Sequence, residues 1–153
     1  MDGLAVRDGI ERDIPDILML LYELGRPRPK AKSDEATFED LIRRYISDDG
    51  KRILVAQNAD AKVVGVLSMM LLLRLNQRSL EMYVPELVVH ERFRGLNIGR
   101  LLVDRCIQIA LQNGCHRIRL ESGNQRTTSH KFYRALGFEQ SALSFTLNLE
   151  SSA

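Results

Sequence analysis

The 153-residue chain has no tryptophan, only two cysteines and only three histidines. Each shortage removes a class of function. Cys106 and Cys115 lack C-x-x-C spacing and cannot build a disulfide framework, so a reducing, cytoplasmic setting is expected. The few His and Cys residues are not clustered, so no metal site is expected. Charge of one sign is also lacking. Lys and Arg number 22 against 20 Asp and Glu, a formal charge of +2. Nucleic-acid binders concentrate far more positive charge on one face, so no nucleic-acid partner is expected, although a modest basic patch would suit an anionic cofactor. Long hydrophobic runs are missing too. The longest, 63–75, is interrupted by Gly65, Ser68 and Arg74 and is too short to span a bilayer, so no membrane partner is expected. Residues 1–9 mix charge with glycine and show no apolar core of a targeting signal.

What is present suits one folded domain over residues 1–153. The composition is 44% hydrophobic and 27% charged, with no repeat and no long linker. Residues 4–7 suit a short first strand. Asp13 reads as the N-cap of a helix with Pro15 in its first turn and Ile14, Ile17, Leu18, Leu21 and Leu24 at helical spacing, ending at Gly25. Two prolines keep 26–30 irregular. Ser33 reads as the cap of a second helix to Ile46, whose apolar face is Phe38, Leu41, Ile42 and Tyr45. Strands are predicted at 52–57, 62–73 and 78–89, joined by short turns as an antiparallel meander. Ile98, Leu101, Leu102, Cys106 and Ile109 then recur at helical spacing up to Asn113-Gly114. A strand at 117–121, a helix at 127–136 stopped by Gly137, and an alternating strand at 143–149 complete the pattern. A strand–helix–strand order across 86–121 makes those two strands parallel. The fold class is therefore α/β with a mixed central sheet flanked by helices.

The stretch 86–102, ELVVHERFRGLNIGRLL, runs from strand through a glycine-bearing loop into a helix. Unpartnered N–H groups at such a junction, with the helix dipole, form an anion site. Gly95 and Gly99 allow close approach to the backbone, and Arg92, Arg94 and Arg100 add positive charge. The sequence has no G-x-x-x-x-G-K-[ST], and no G-x-G-x-x-G lies in a first strand–helix turn, so neither an ATPase loop nor a dinucleotide fold is supported. The same spacing also suits a plain turn whose glycines only permit tight packing.

Arg94-Gly95-Leu96-Asn97-Ile98-Gly99, after Glu86-Leu87-Val88-Val89, resembles the acetyl-CoA motif of the GNAT acetyltransferase superfamily, [QR]-x-x-G-x-[GA]. Asn97 stands where glycine is usual, and asparagine tolerates a left-handed backbone better than most residues. Ser129-His130-Lys131-Phe132-Tyr133-Arg134-Ala135-Leu136-Gly137-Phe138 is similar to the family's A-x-x-F-Y-x-x-x-G-F segment, with Ser129 for alanine. The RGLNIG loop, the segment from Ser122-Gly123 through Arg126 to His130-x-Phe132-Tyr133, and Glu139-Gln140-Ser141 are nearest to the aminoalkylphosphonate N-acetyltransferase subgroup.

This resemblance implies a sheet splayed between two parallel strands, with acetyl-CoA as cosubstrate in the gap. It implies cofactor contacts from Leu87, Val88, Val89, Arg94, Gly95, Leu96, Asn97, Ile98, Gly99, Arg100, Asn124 and Tyr133. Leu87 and Val89 would bond the pantetheine arm through their backbones, much as an added strand does. The implied acceptor is a small-molecule primary amine, attacking the thioester directly without an acyl-enzyme. Tyr133 is the candidate general acid and Glu86 the candidate general base, acting through water, with Glu81 as its substitute. Strand alternation puts Glu81 and Glu86 on opposite faces. Tyr133 also suits a packed aromatic, Asn124 a turn residue, and Glu86 a solvated carboxylate. A homodimer is implied by the family. An acetyltransferase acting on a protein amine, or a non-catalytic acyl-CoA sensor, remains an alternative.

Overall fold

The computed structural model describes residues 3–150. Its strands are β1 (Ala5–Asp8), β2 (Lys51–Gln57), β3 (Val63–Leu72), β4 (Glu81–Val84), β5 (Leu87–Val89) and β6 (Arg117–Leu120). Its helices are α1 (Ile14–Glu23), α2 (Lys32–Ser47), α3 (Ile98–Gln112) and α4 (Thr127–Ala135). Two units can be described separately, one ending at Leu120 and one beginning at Glu121.

In the first unit the sheet runs β1-β2-β3-β4-β6, and β5 also pairs with β3. The pairs from β1 to β5 are antiparallel, whereas β4 and β6 are parallel, as a strand–helix–strand crossover requires. Alternating side chains of the central strands feed two cores. Ile53, Val55, Val66 and Val88 pack with Ile14, Ile17 and Leu20 of α1 and Ile42 of α2. On the α3 side, Ile98, Leu102, Val103, Cys106 and Ile109 are buried. Each large aliphatic side chain so buried contributes about 1.5–3 kcal/mol before entropy is counted.

Two helix starts differ from expectation. Asp13 occupies the position before α1, but its side chain makes no cap. Its carboxylate accepts from Arg7 at 2.7 and 2.9 Å and from the Ile10 N–H at 2.8 Å. A guanidinium within reach outbids the helix N–H groups. α2 begins at Lys32 with Ala31 in the cap position, so Ser33 lies inside the first turn. Leu20, not singled out from the spacing, is fully buried, and Leu41 is half exposed.

The predicted strand over 78–89 is broken. Met70 pairs with Tyr83 and Leu67 with Leu87, so Ser68 and Met69 face three residues, Val84, Pro85 and Glu86. Pro85 is the surplus residue, and lacking an N–H it suits a bulge better than a ladder. The bulge reverses the alternation. Glu81 pairs with Leu72, and the Ser68 N–H donates to the Glu86 carbonyl at 2.9 Å, so both glutamates share a sheet face. The expectation of opposite faces is corrected.

In the second unit, α4 ends at Gly137, whose φ of +95° makes the reversal. The strand expected at 143–149 is absent. Leu143, Phe145, Leu147 and Leu149 are all at least three-quarters exposed, and the segment pairs with no strand among the described residues. Alternation favours a strand only where a neighbour accepts its backbone groups, since β-propensity is set by context.

At Gly65 in β3, α3 packs close against the sheet. A Cβ there would lie 3.1 Å from Leu102 Cδ1 and 3.2 Å from Ile98 Cγ2. Gly65→Val should therefore lower stability by about 1–3 kcal/mol, the usual cost of overpacking, as read from a urea unfolding midpoint. An unchanged midpoint would show that α3 can lift at no cost.

Candidate active site

β4 and β6 remain paired as far as Val84 and Leu120. Beyond the bulge, β5 pairs only with β3. The chain thus splays, and β5 has an edge that no strand among the described residues takes. The Glu86 carbonyl and the His90 N–H bond to β3, so in an antiparallel pair the residues between them aim their backbone groups the other way. These residues are Leu87 and Val89. Arg94 already donates through Nε to the Val89 carbonyl at 3.2 Å. Val88 is turned the opposite way: it pairs with Val66 and its side chain is buried, so it holds the strand and offers nothing to the edge.

The chain then makes a single 3-10 turn at Glu91–Phe93, where His90 Nδ1 accepts the Arg92 N–H at 3.2 Å. Two residues in left-handed conformation follow, Gly95 at φ +79° and Asn97 at φ +64°. Asn97 adopts the backbone that its place in the motif calls for. Helix α3 starts directly after it with no side-chain cap. The first intrahelical bond runs from the Leu101 N–H to the Asn97 carbonyl at 3.1 Å, leaving the N–H groups of Ile98, Gly99 and Arg100 without helical acceptors. Ile98 is buried and anchors this end, while Arg92, Arg94, Leu96 and Arg100 are exposed around it. Outward N–H groups, a fifteen-residue helix dipole and three arginines together suit an anion such as a phosphate chain.

Glu86 sits at the bulge beside this edge. Its N–H donates to Ser68 Oγ at 3.0 Å, and the Ser68 hydroxyl donates back to Glu86 Oε2. Arg26, in the segment after α1, donates to Glu86 Oε1 and to the Pro85 carbonyl, each at 3.2 Å. Tyr45 of α2 donates to the Met69 carbonyl at 3.1 Å. The sequence reading passed over Ser68 and Tyr45. The available signal was Ser68 itself, a polar residue interrupting the longest apolar run.

Glu81 is unsuited to the substitute role. It is fully buried, with Arg119 at 2.5 Å and Arg117 at 3.0 Å. Burial alone would raise its pKa, but the hydrogen bonds from Arg119 and Arg117 more than offset this and hold it below the usual range. Neither thiol suits a nucleophile: burial pushes Cys106 up to about 12 and raises Cys115 as well.

In the second unit, Asn124 lies in the exposed turn before α4. His130 on α4 is 2.8 Å from the Gly123 carbonyl through Nε2. The Tyr133 ring packs edge-on against Phe132 and Phe138, with centroids 5.3 and 5.7 Å away. Burial raises the Tyr133 phenol, with Arg126 opposing, so it stays protonated at neutral pH. Among the described residues no group of three or more His, Cys, Asp or Glu could hold a metal. No described helix is long and apolar enough to cross a membrane.

The depressed Glu81 carboxylate makes stability depend on pH. A carboxylate whose pKa is lower when folded contributes fully above its unfolded value, about 4.3, and loses that contribution as pH falls through the folded value. The urea midpoint should drop more steeply on acidification for the unaltered protein than for Glu81→Gln, which should already be weaker at neutral pH. Parallel acid limbs would assign the loss to other carboxylates.

The profile of the Acetyltransferase (GNAT) family matches residues 17–138. Human N-acetyltransferase 8B is 27% identical over 106 residues, 69% of this chain. The match spans just under half of that relative, 46%. Among solved structures, a transcriptional regulator from Bacillus halodurans superposes with a TM-score of 0.87 at 26% identity, covering 95% of this chain and 99% of that one. An acetyltransferase from Trypanosoma brucei superposes with a TM-score of 0.78 at 26% identity, with the same coverage. The splayed sheet, the left-handed loop and the uncapped helix start thus lie in a chain that belongs to the GNAT acetyltransferase family.

Proposed function

We propose that this protein is an acetyl-CoA-dependent N-acetyltransferase, a single domain over residues 1–153, which passes acetyl directly to the primary amine of a small molecule. One observation carries the reading: the free edge of β5 leads through two left-handed residues into an uncapped helix start. That continuity suits a ligand with amides at one end and phosphates at the other, and the family's donor is acetyl-CoA. Bound there, it supplies an acetyl thioester. Leu87 and Val89 bond the pantetheine arm, Asn124 takes one of its amides, and the N–H groups of the cradle take the diphosphate. A backbone N–H of the β5 edge stabilises charge on the carbonyl oxygen. Glu86 removes a proton from the acceptor ammonium through water. Tyr133 protonates the departing thiolate, a role that a raised phenol pKa supports because the proton is in place at neutral pH.

The acceptor in this reading is an amine that also carries an acid, of the aminoalkylphosphonate kind. Support comes from opposite charges held side by side. The Glu86 carboxylate would face the ammonium across a water, and Arg26, 3.2 Å away, would receive the acid, with Arg28 and Lys30 in the same loop. The unpaired cysteines fit a cytoplasmic setting. A homodimer completes the proposal, supported by the exposed apolar side chains over 143–149.

Calorimetric titration tests the donor site: acetyl-CoA should bind, whereas ATP and NAD should bind far more weakly. A folded sample that binds none of them would sink the proposal. Tyr133→Phe should lower kcat by roughly 10²–10⁴-fold with donor affinity nearly unchanged. Undiminished turnover would remove Tyr133 as the acid. Arg26→Ala should raise KM for an aminoalkylphosphonate more than for the matching alkylamine, and equal effects would discard the acid-bearing acceptor. Donor binding without turnover on any amine would make the protein a sensor.

A further inference from the structure

We infer that Ser68 is a positioning residue for the transfer: from β3 its hydroxyl aims the Glu86 carboxylate across the bulge. The inference rests on the proposed role of Glu86 as general base. Three hydrogen bonds join the two residues. The Ser68 N–H donates to the Glu86 carbonyl at 2.9 Å, the Glu86 N–H donates to Ser68 Oγ at 3.0 Å, and the Ser68 hydroxyl donates to Glu86 Oε2. In a regular ladder the Glu86 N–H would bond a backbone carbonyl. The surplus residue at Pro85 spoils that geometry, and a side-chain oxygen takes the carbonyl's place. A hydroxyl can accept this N–H and donate to the carboxylate through a single atom. An aliphatic residue at 68, which the rest of this apolar strand would favour, leaves the Glu86 N–H and Oε2 without these partners.

The hydroxyl is itself held. Ser68 is buried, between Leu67 and Met69, which are fully enclosed. Tyr45 of α2 stands beside it. Burial pushes that phenol up to about 12, the Ser68 hydroxyl lowering it and the charges of Glu86 and Asp48 raising it, so it is a neutral donor at working pH. Its proton goes to the Met69 carbonyl at 3.1 Å, so Tyr45 does not donate to Ser68, whose own hydroxyl proton goes to Glu86 Oε2. The groups facing Glu86 are therefore Arg26 from the loop after α1, Tyr45 from α2, with Asp48 beyond it, and Ser68 from β3. The two carboxylate oxygens become different. Oε2 is tied to the interior through Ser68, whereas Oε1 meets the half-exposed Arg26 side chain and is the one left to take a proton. Fixing one oxygen orients the other, and orientation rather than added basicity is what Ser68 supplies.

A residue that merely packs would change stability and not the proton-transfer step, so the test is kinetic. Steady-state rates are measured against pH for the unaltered protein, Ser68→Ala, Ser68→Thr, Glu86→Gln and the double variant Ser68→Ala/Glu86→Gln, each first checked by circular dichroism. Ser68→Ala should lower kcat roughly 10–100-fold, part of the effect of losing the base outright, with KM for acetyl-CoA within about twofold. Ser68→Thr keeps a hydroxyl and should restore most of the rate. The double variant should be no slower than Glu86→Gln alone. If Glu86→Gln is slow and Ser68→Ala is not, the base stands and the inference on Ser68 falls. Multiplying losses in the double variant would overturn it too, by showing an independent role. A fully active Glu86→Gln would end the base reading and this inference with it. Should Ser68→Ala not fold, Ser68→Cys, of similar shape but a weak donor, carries the same comparison.

Discussion

Two residues of β3 face three residues of the opposite strand, and the consequences of that mismatch run through the whole first unit. Beside Val84 the sheet is still continuous with β6. One residue later the backbone has turned, and β5 keeps β3 as its partner but leaves its other edge unclaimed. Unpaired sheet edges are ordinarily a liability. Here the edge is short, three residues, and it opens toward a helix start with unbonded N–H groups. The bulge also carries Glu86 round to the face occupied by α1 and α2, where Ser68, Tyr45 and Arg26 meet it. One surplus residue thus leaves both an unclaimed strand edge and a fixed carboxylate next to it.

Charge is handled differently on the two sides of that break. Before it, Glu81 is enclosed and held by Arg117 and Arg119, an arrangement that ties β4 to β6 and keeps the carboxylate ionised. After it, Glu86 shares its two oxygens between a buried hydroxyl and one half-exposed guanidinium. Two glutamates five positions apart are thereby given different surroundings by their neighbours alone. Around the helix start Arg92, Arg94 and Arg100 are exposed, and Arg94 also donates to the Val89 carbonyl.

Much of this was legible in the residues. Periodicity located the helices to within a few positions, and the strand–helix–strand order required the parallel pair. Asn97 in place of glycine was readable because few side chains tolerate a positive φ, and it has one. The bulge was not legible, because Pro85 within an apolar stretch marks a break without stating which ladder partner is skipped. Ser68 was visible only as a blemish in a hydrophobic run, and Tyr45 only as part of an amphipathic face. Their meaning depends on contacts 18 and 24 positions distant in the chain. Asp13 holds the expected position before α1, but a cap and an ion pair compete for one carboxylate, and Arg7 lies outside any helical window. The alternation over 143–149 was read correctly as a pattern but lacks the neighbour that would turn pattern into ladder.

Gly65 lies behind the cradle, on the strand that supports it, and the space its missing side chain leaves is filled by Ile98 and Leu102. The position of the helix start is therefore backed from the interior, by packing, and not by the exposed loop residues alone. The irregular segment after α1 has no such backing. On the proposed function, the two halves of the reaction are then under separate control. A lineage, or an engineer, can rework Arg26 and its neighbours to change which amine is taken while the donor's seat stays where the core puts it.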